Sequence, residues 1–222
     1  GGFVSTATDV ARFYAQLLPQ ARRSVLSVES RREMLRRHAQ VPHSSTPAGY
    51  GLGVMHGSYQ GWDWVGHTGS LQGFVSRSLV LPQQELSISL LTNSIDGFSW
   101  PWVDGILQTL QVFDRHGAPG ARTRDWSGRW WSLWGPTDLV PVGDRVFAVS
   151  PGMAAPFTDA TELTPQSRDR ALMSQANGYA GFGELARLER DAQGQVKEVW
   201  LGASRNRPEK QVAREVQRRY AG

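Results

Sequence analysis

Phe74-Val75-Ser76-Arg77-Ser78-Leu79-Val80-Leu81, then Pro82-Gln83-Gln84-Glu85, then Leu86-Ser87-Ile88-Ser89-Leu90-Leu91-Thr92, lies within the chain's first half. Two runs rich in apolar and β-branched residues flank a proline-led polar turn, which predicts an antiparallel hairpin. Upstream, Tyr50-Gly51-Leu52-Gly53-Val54 and Trp62-Asp63-Trp64-Val65-Gly66-His67 read as a further hairpin joined across His56-Gly57-Ser58. From Tyr50 to Thr92 the period is two, so the segment is sheet.

Helices flank it. Over residues 5–18, Val10, Phe13, Tyr14, Leu17 and Leu18 recur at the helical period, Thr6 with Asp9 fits a capping box, and Pro19 stops the helix. A second, polar helix is expected from Ser30 to Ala39, then a loop of Pro42, Ser44, Ser45, Thr46, Pro47 and Gly49. A third is expected over 101–114, with Trp102, Val103, Ile106, Leu107, Leu110 and Phe113 on one face. His116-Gly117-Ala118-Pro119-Gly120 has linker composition. Beyond it come short strands at Gly128–Trp134, Asp138–Pro141, Arg145–Ser150, Ala160–Leu163, Arg170–Ser174, Leu185–Arg190 and Val196–Leu201, the last two joined by Asp191-Ala192-Gln193-Gly194. Short strands separated by turns predict an antiparallel barrel or sandwich. The expected organisation is α+β over residues 1–118, all-β over 119–206, and a tail or short helix over 207–222.

Composition excludes several classes. Of 222 residues, 40% are apolar and nine are tryptophan, which suits a packed core and argues against disorder. No stretch approaches the ~18 apolar residues of a membrane helix. The N-terminal residues show neither the charged nor the apolar region of a signal peptide. Cysteine is absent, so disulfides, thiolate metal sites and a cysteine nucleophile are excluded. The net charge of +4 invites a nucleic-acid partner. The cluster Arg22, Arg23, Arg31, Arg32, Arg36 and Arg37 has helical spacing, however, and reads as a solvated face without any nucleic-acid signature. No nucleic acid, metal or other cofactor is expected; His38, His43, His56 and His116 read as surface or loop residues without zinc-site spacing.

The chemistry-bearing segment is Val65-Gly66-His67-Thr68-Gly69-Ser70-Leu71-Gln72-Gly73-Phe74. An imidazole, a hydroxyl and a glycine on one strand can line an active-site edge, where the glycine admits a ligand and the N–H after it can donate to an oxyanion. Ser70 stands one place too early for a Gly-x-Ser-x-Gly elbow and is not expected to be a nucleophile. Trp130, Trp131 and Trp134 are expected to alternate between barrel core and rim, and Asp63 to lie exposed on its hairpin.

Gly2-Phe3-Val4-Ser5-Thr6-Ala7-Thr8-Asp9-Val10-Ala11-Arg12-Phe13, Tyr50-Gly51-Leu52-Gly53-Val54, Gly66 to Phe74 and Leu91-Thr92-Asn93, in that order, resemble the C-terminal half of the serine beta-lactamase-like family. That family comprises class C beta-lactamases, D-alanyl-D-alanine carboxypeptidases and related esterases. The resemblance covers about residues 1–115. Residues 122–205, through Gly183 to Gly194 above all, resemble the lipocalin-like barrel often appended to such hydrolases. The fold implied is the C-terminal half of a beta-lactamase/transpeptidase-like domain, antiparallel strands with flanking helices, followed by a small antiparallel β-barrel.

On this resemblance His67-Thr68-Gly69 matches the Lys-Thr-Gly motif. His67 takes the cationic or proton-relaying place, Thr68 bonds a substrate carboxylate or carbonyl, Gly69 lines the same strand, the Ser70 backbone N–H is the second oxyanion donor, and Asn93 orients the substrate. Because an unperturbed histidine titrates near ~6.5, acyl transfer in general is implied before recognition of a penicillin-type carboxylate. Lys197 and Lys210, the only lysines, have no serine three residues before them, and Tyr14, Tyr50, Tyr59, Tyr179 and Tyr220 begin neither Tyr-x-Asn nor Tyr-x-Ser. The expectation is therefore the C-terminal portion of a serine hydrolase acting on a small ester, peptide or lactam, inactive alone, with nucleophile and base on a missing N-terminal half. A non-catalytic binding or assembly module is the alternative. A homodimer or swapped oligomer is expected where apolar faces lack cover, and the family implies a periplasmic or secreted parent.

Overall fold

The computed structural model describes residues 2–45, 48–176 and 181–220. Thr46 and Pro47 of the expected loop, and Tyr179, lie outside the described residues. The chain divides into two compact units, Gly1–Asp104 and Gly105–Gly222.

The first unit begins with α1 (Ala7–Gln16), capped as its sequence requires: the Thr6 hydroxyl accepts from the Asp9 N–H at 3.1 Å. The second helix, α2, spans Val28–Leu35 rather than Ser30 to Ala39. Ser27 caps it early by accepting from the Ser30 N–H, and Arg36, in extended conformation, ends it. Its Arg31 departs from the expected solvated face. The side chain is 5% exposed and donates to the carbonyls of Leu18 and Ala21, satisfying the chain end after α1.

Six antiparallel strands follow in sequence order in one sheet: β1 (Ala39–Gln40), β2 (Gly49–Tyr50), β3 (Met55–Tyr59), β4 (Trp62–Leu71), β5 (Phe74–Leu81) and β6 (Leu86–Thr92). β5 and β6 match the expected hairpin residue for residue, paired from Val75↔Thr92 to Leu81↔Leu86. The preceding hairpin is corrected. His56-Gly57-Ser58 is not its turn but lies inside β3, and the turn is Gln60-Gly61. Both turn residues have positive φ (+46° and +87°), the left-handed pair whose twist suits a two-residue hairpin. Gly57 stays in the strand because Trp64 fills its side-chain position; an added Cβ would lie 2.3 Å from the indole. On one face of the sheet Val65 and Val80 pack with Leu18, Tyr14, Ala21 and Leu35, and Ser87 Oγ donates to Ala11 O at 2.7 Å. On the other, Arg77 reaches Trp100 and Asp104 in the first turns of α3 (Ser99–His116).

The second unit is an eight-stranded antiparallel meander: β7 (Gly128–Ser132), β8 (Gly135–Val142), β9 (Arg145–Val149), β10 (Thr161–Pro165), β11 (Arg170–Gln175), β12 (Leu185–Arg190), β13 (Val196–Leu201) and β14 (Ser204–Asn206). β14 was not anticipated; it is three residues long. Reciprocal backbone bonds of 2.8 Å between Trp131 and Arg207 join the last part of the meander to the first, so the sheet nearly closes as a barrel. Its interior holds Trp126, Trp130, Leu139, Val146, Leu163, Met173, Leu188 and Val199. Trp126 donates from its indole to Arg168 O at 3.0 Å. Trp130 is buried and Trp134 is exposed on the β7–β8 turn. α4 (Glu209–Tyr220) closes the chain. No helix among the described residues is long and apolar enough to cross a membrane.

Candidate active site

β4 is twice as long as its partner on one side. It pairs with β5 along Val65 to Leu71, but with β3 only from Trp62 to Gly66. Residues 67–71 therefore form an open strand edge on the β3 side. The direction of their backbone groups follows from register. Two-residue turns close the β3–β4 and β4–β5 hairpins at Tyr59↔Trp62 and Leu71↔Phe74. Hydrogen-bonding direction alternates from those closing pairs, so the Thr68 carbonyl and the Ser70 N–H face the open edge.

His67 is partly buried there. Its Nδ1 lies 2.5 Å from Thr68 O, and its Nε2 2.6 Å from Tyr50 Oη. Thr68 is opposite Arg77, and its hydroxyl points to Met55 Sδ at 3.9 Å. Gly69 is exposed and opposite Ser76; a Cβ there would come within 2.5 Å of Ser76 Oγ, so a larger residue would require the serine side chain to turn away. Ser70, Val75 and Thr92 form one cross-strand row, and Asn93, exposed, lies one residue past it. The structure thus brings His67, Thr68, Gly69 and Ser70 to one edge and sets Asn93 at the same end of the sheet. Among the described residues no group of three or more His, Asp or Glu side chains could hold a metal ion.

Behind the edge, Arg77 is buried against α3. It pairs with Asp104 at 2.6 Å, donates to Trp100 O at 3.0 Å, and stacks over the Trp100 ring at 3.9 Å. Burial pulls its proton affinity down, and Asp104 opposes that.

Residues 1–99 match the family model described as Beta-lactamase. The matched segment contains the whole six-stranded sheet and the edge just described. Among solved structures, the chain is similar to an octameric penicillin-binding protein homologue from Pyrococcus abyssi, at 19% identity over 85% of this chain and 43% of that one, with a TM-score of 0.38. It is also similar to a D-stereospecific amidohydrolase from Streptomyces sp., at 29% identity over 39% of this chain and 24% of that one, TM-score 0.34. SurE gives 18% identity over 91% of this chain and 48% of that one, TM-score 0.38. The chain spans less than half the length of each of these three. No protein of curated function matches the sequence.

Two residues of the matched segment have surroundings that no local pattern encodes. Tyr50 belongs to an expected strand and begins no Tyr-x-Asn or Tyr-x-Ser, and its contact with His67 spans 17 positions. His56 was expected in a turn but lies on β3 with Nε2 buried and unpartnered; burial, and then the Arg37 charge, push its pKa down.

Proposed function

We propose that residues 1–118 are the C-terminal half of a serine hydrolase of the beta-lactamase-like class, which acylates a serine with an ester, amide or lactam and then hydrolyses the acyl-enzyme. The observation that carries this reading is the family match over residues 1–99, within which His67-Thr68-Gly69-Ser70 runs along an open strand edge. In this reading the edge is one wall of the site. His67 relays a proton, Thr68 binds the substrate carbonyl or carboxylate, and Gly69 admits it to the backbone. The Ser70 N–H is half of the oxyanion hole, and Asn93 helps orient the substrate carboxylate. Residues 119–206 form the appended lipocalin-like barrel and 207–222 its tail.

The chain holds no Ser-x-x-Lys, so the nucleophile and its base belong to a complementary half. Support for such a partner comes from apolar groups that find no cover in the first unit: Phe3, Val4 and Phe13 are exposed, and β6 ends the sheet. Without that half the same surfaces favour a homodimer or swapped oligomer, and sedimentation velocity is expected to show mass rising with concentration. A compact monomer at all concentrations counts against it. The function is tested with a fluorophosphonate probe. The isolated chain is expected to remain unlabelled, whereas a polypeptide in which it follows a Ser-x-x-Lys and Tyr-x-Asn half is labelled on the serine. Labelling of the isolated chain, or none in either protein, refutes the reading.

A further inference from the structure

The pairing of Tyr50 with His67 carries an inference that rests on the hydrolase reading and deepens it. A carbonyl oxygen only accepts, so the His67 Nδ1 beside Thr68 O carries a hydrogen. In the neutral ring Nε2 is then a bare lone pair, and the Tyr50 hydroxyl, 2.6 Å away, donates to it. The two rings meet edge-on, with centroids 5.8 Å apart and planes at 89°. Both imidazole nitrogens are therefore engaged within the chain. The oxygen left to face a ligand is that of Tyr50, a residue 40% exposed.

We propose that Tyr50 is the positioning residue of His67: it holds the Nδ1–H tautomer and converts the protonation state of the ring into the hydrogen-bonding character of a phenol oxygen at the site. With the ring neutral, the phenolic hydrogen is directed inward and the oxygen presents lone pairs. When the ring takes a proton from solvent, Nε2–H donates to Oη and the phenolic hydrogen turns outward. The wall changes from acceptor to donor with no backbone movement and no other proton gained or lost. An acyl substrate thus meets an acceptor suited to a nucleophile's hydroxyl when the ring is neutral, and a donor suited to an oxyanion or leaving group when the ring is protonated. The titratable group that interacts with Tyr50 besides His67 is Tyr14 on α1, and His56 lies on β3 opposite Val65. Burial, and then Tyr50, push the Tyr14 phenol up, while burial and the Arg37 charge push His56 down.

The test is nitrogen-15 NMR of the imidazoles in the full 222-residue chain. In the neutral ring His67 is expected to carry its hydrogen on Nδ1, with a slowly exchanging Tyr50 hydroxyl proton coupled to Nε2. Tyr50→Phe keeps the ring and deletes the donor, and is expected to shift the tautomer ratio about fivefold towards Nε2–H, the equilibrium weight of one net hydrogen bond. An Nε2–H tautomer in the wild type overturns the proposal. So does an unchanged ratio in Tyr50→Phe, because Thr68 O alone then sets the ring. Should that variant not fold, the coupled hydroxyl proton of the wild type decides, its presence supporting the pair and its absence overturning it. None of these readouts needs a nucleophile, so the pair and the hydrolase reading fail separately.

Discussion

Removing Asp104 is expected to destabilise the first unit more than removing Arg77, although Asp104 is the more exposed partner. The Arg77 side chain is 4% exposed and that of Asp104 33%, with 2.6 Å between Nη1 and Oδ1. At an effective dielectric of about 20, charges centred ~4 Å apart attract by about 4 kcal/mol, most of which the desolvation of a buried guanidinium offsets. The pair is thus worth little net, but each deletion leaves a different remnant. Asp104→Ala strands a buried charge whose Nε already lacks a partner, at a cost of about 3 kcal/mol. Arg77→Met keeps an aliphatic stem against Trp100 and leaves a carboxylate that water can reach, at a cost of about 1.5–2 kcal/mol from the lost Trp100 carbonyl bond and ring stacking. The double variant should cost about as much as Arg77→Met alone, less than the sum by about 3 kcal/mol, because once Arg77→Met has removed the guanidinium there is no charge left to strand. Urea unfolding followed by tryptophan fluorescence reads all three, since Trp64 and Trp100 both contact Arg77. Equal costs, a milder Asp104→Ala, or strict additivity would show that no buried charge is stranded.

Two further outcomes follow from burial. His56 has a folded pKa below its unfolded one, so the unfolded chain binds more protons and stability falls as pH drops through the window beneath about 6.5. His56→Gln should flatten that slope in urea midpoints measured between about pH 7 and pH 5, and an unchanged slope assigns it elsewhere. In the second unit, Trp126 is fully buried with its indole N–H bonded to Arg168 O, so Trp126→Ala should cost about 3–5 kcal/mol, and a loss under about 1 kcal/mol would mean that the barrel is not packed around it.

Much of the sheet was legible because its determinants are local. β5 and β6 follow from two apolar runs around Pro82, and β12 and β13 from the Asp191–Gly194 turn, where Asp191 Oδ1 accepts from the N–H groups of Gln193 and Gln195. The β3–β4 turn was misread because glycine at 57 and glycine at 61 look alike in sequence. Only the place of the Trp64 ring shows that one is a packing site and the other a turn. The arginine cluster misled in the same way: spacing distinguishes faces of a helix, but burial of Arg31 depends on carbonyls left over at the end of another segment.

Alternation, turn chemistry and capping act over a few residues, so the β5–β6 and β12–β13 hairpins, the N-cap of α1 and the order His67-Thr68-Gly69-Ser70 are legible in the sequence. Tertiary structure alone decided that β4 outruns β3 and exposes those four residues, that Tyr50 meets His67, and that Trp131 and Arg207 bring the meander round on itself. Each of these joins groups distant along the chain, and the free energy that selects such contacts belongs to the assembled fold rather than to any window of sequence.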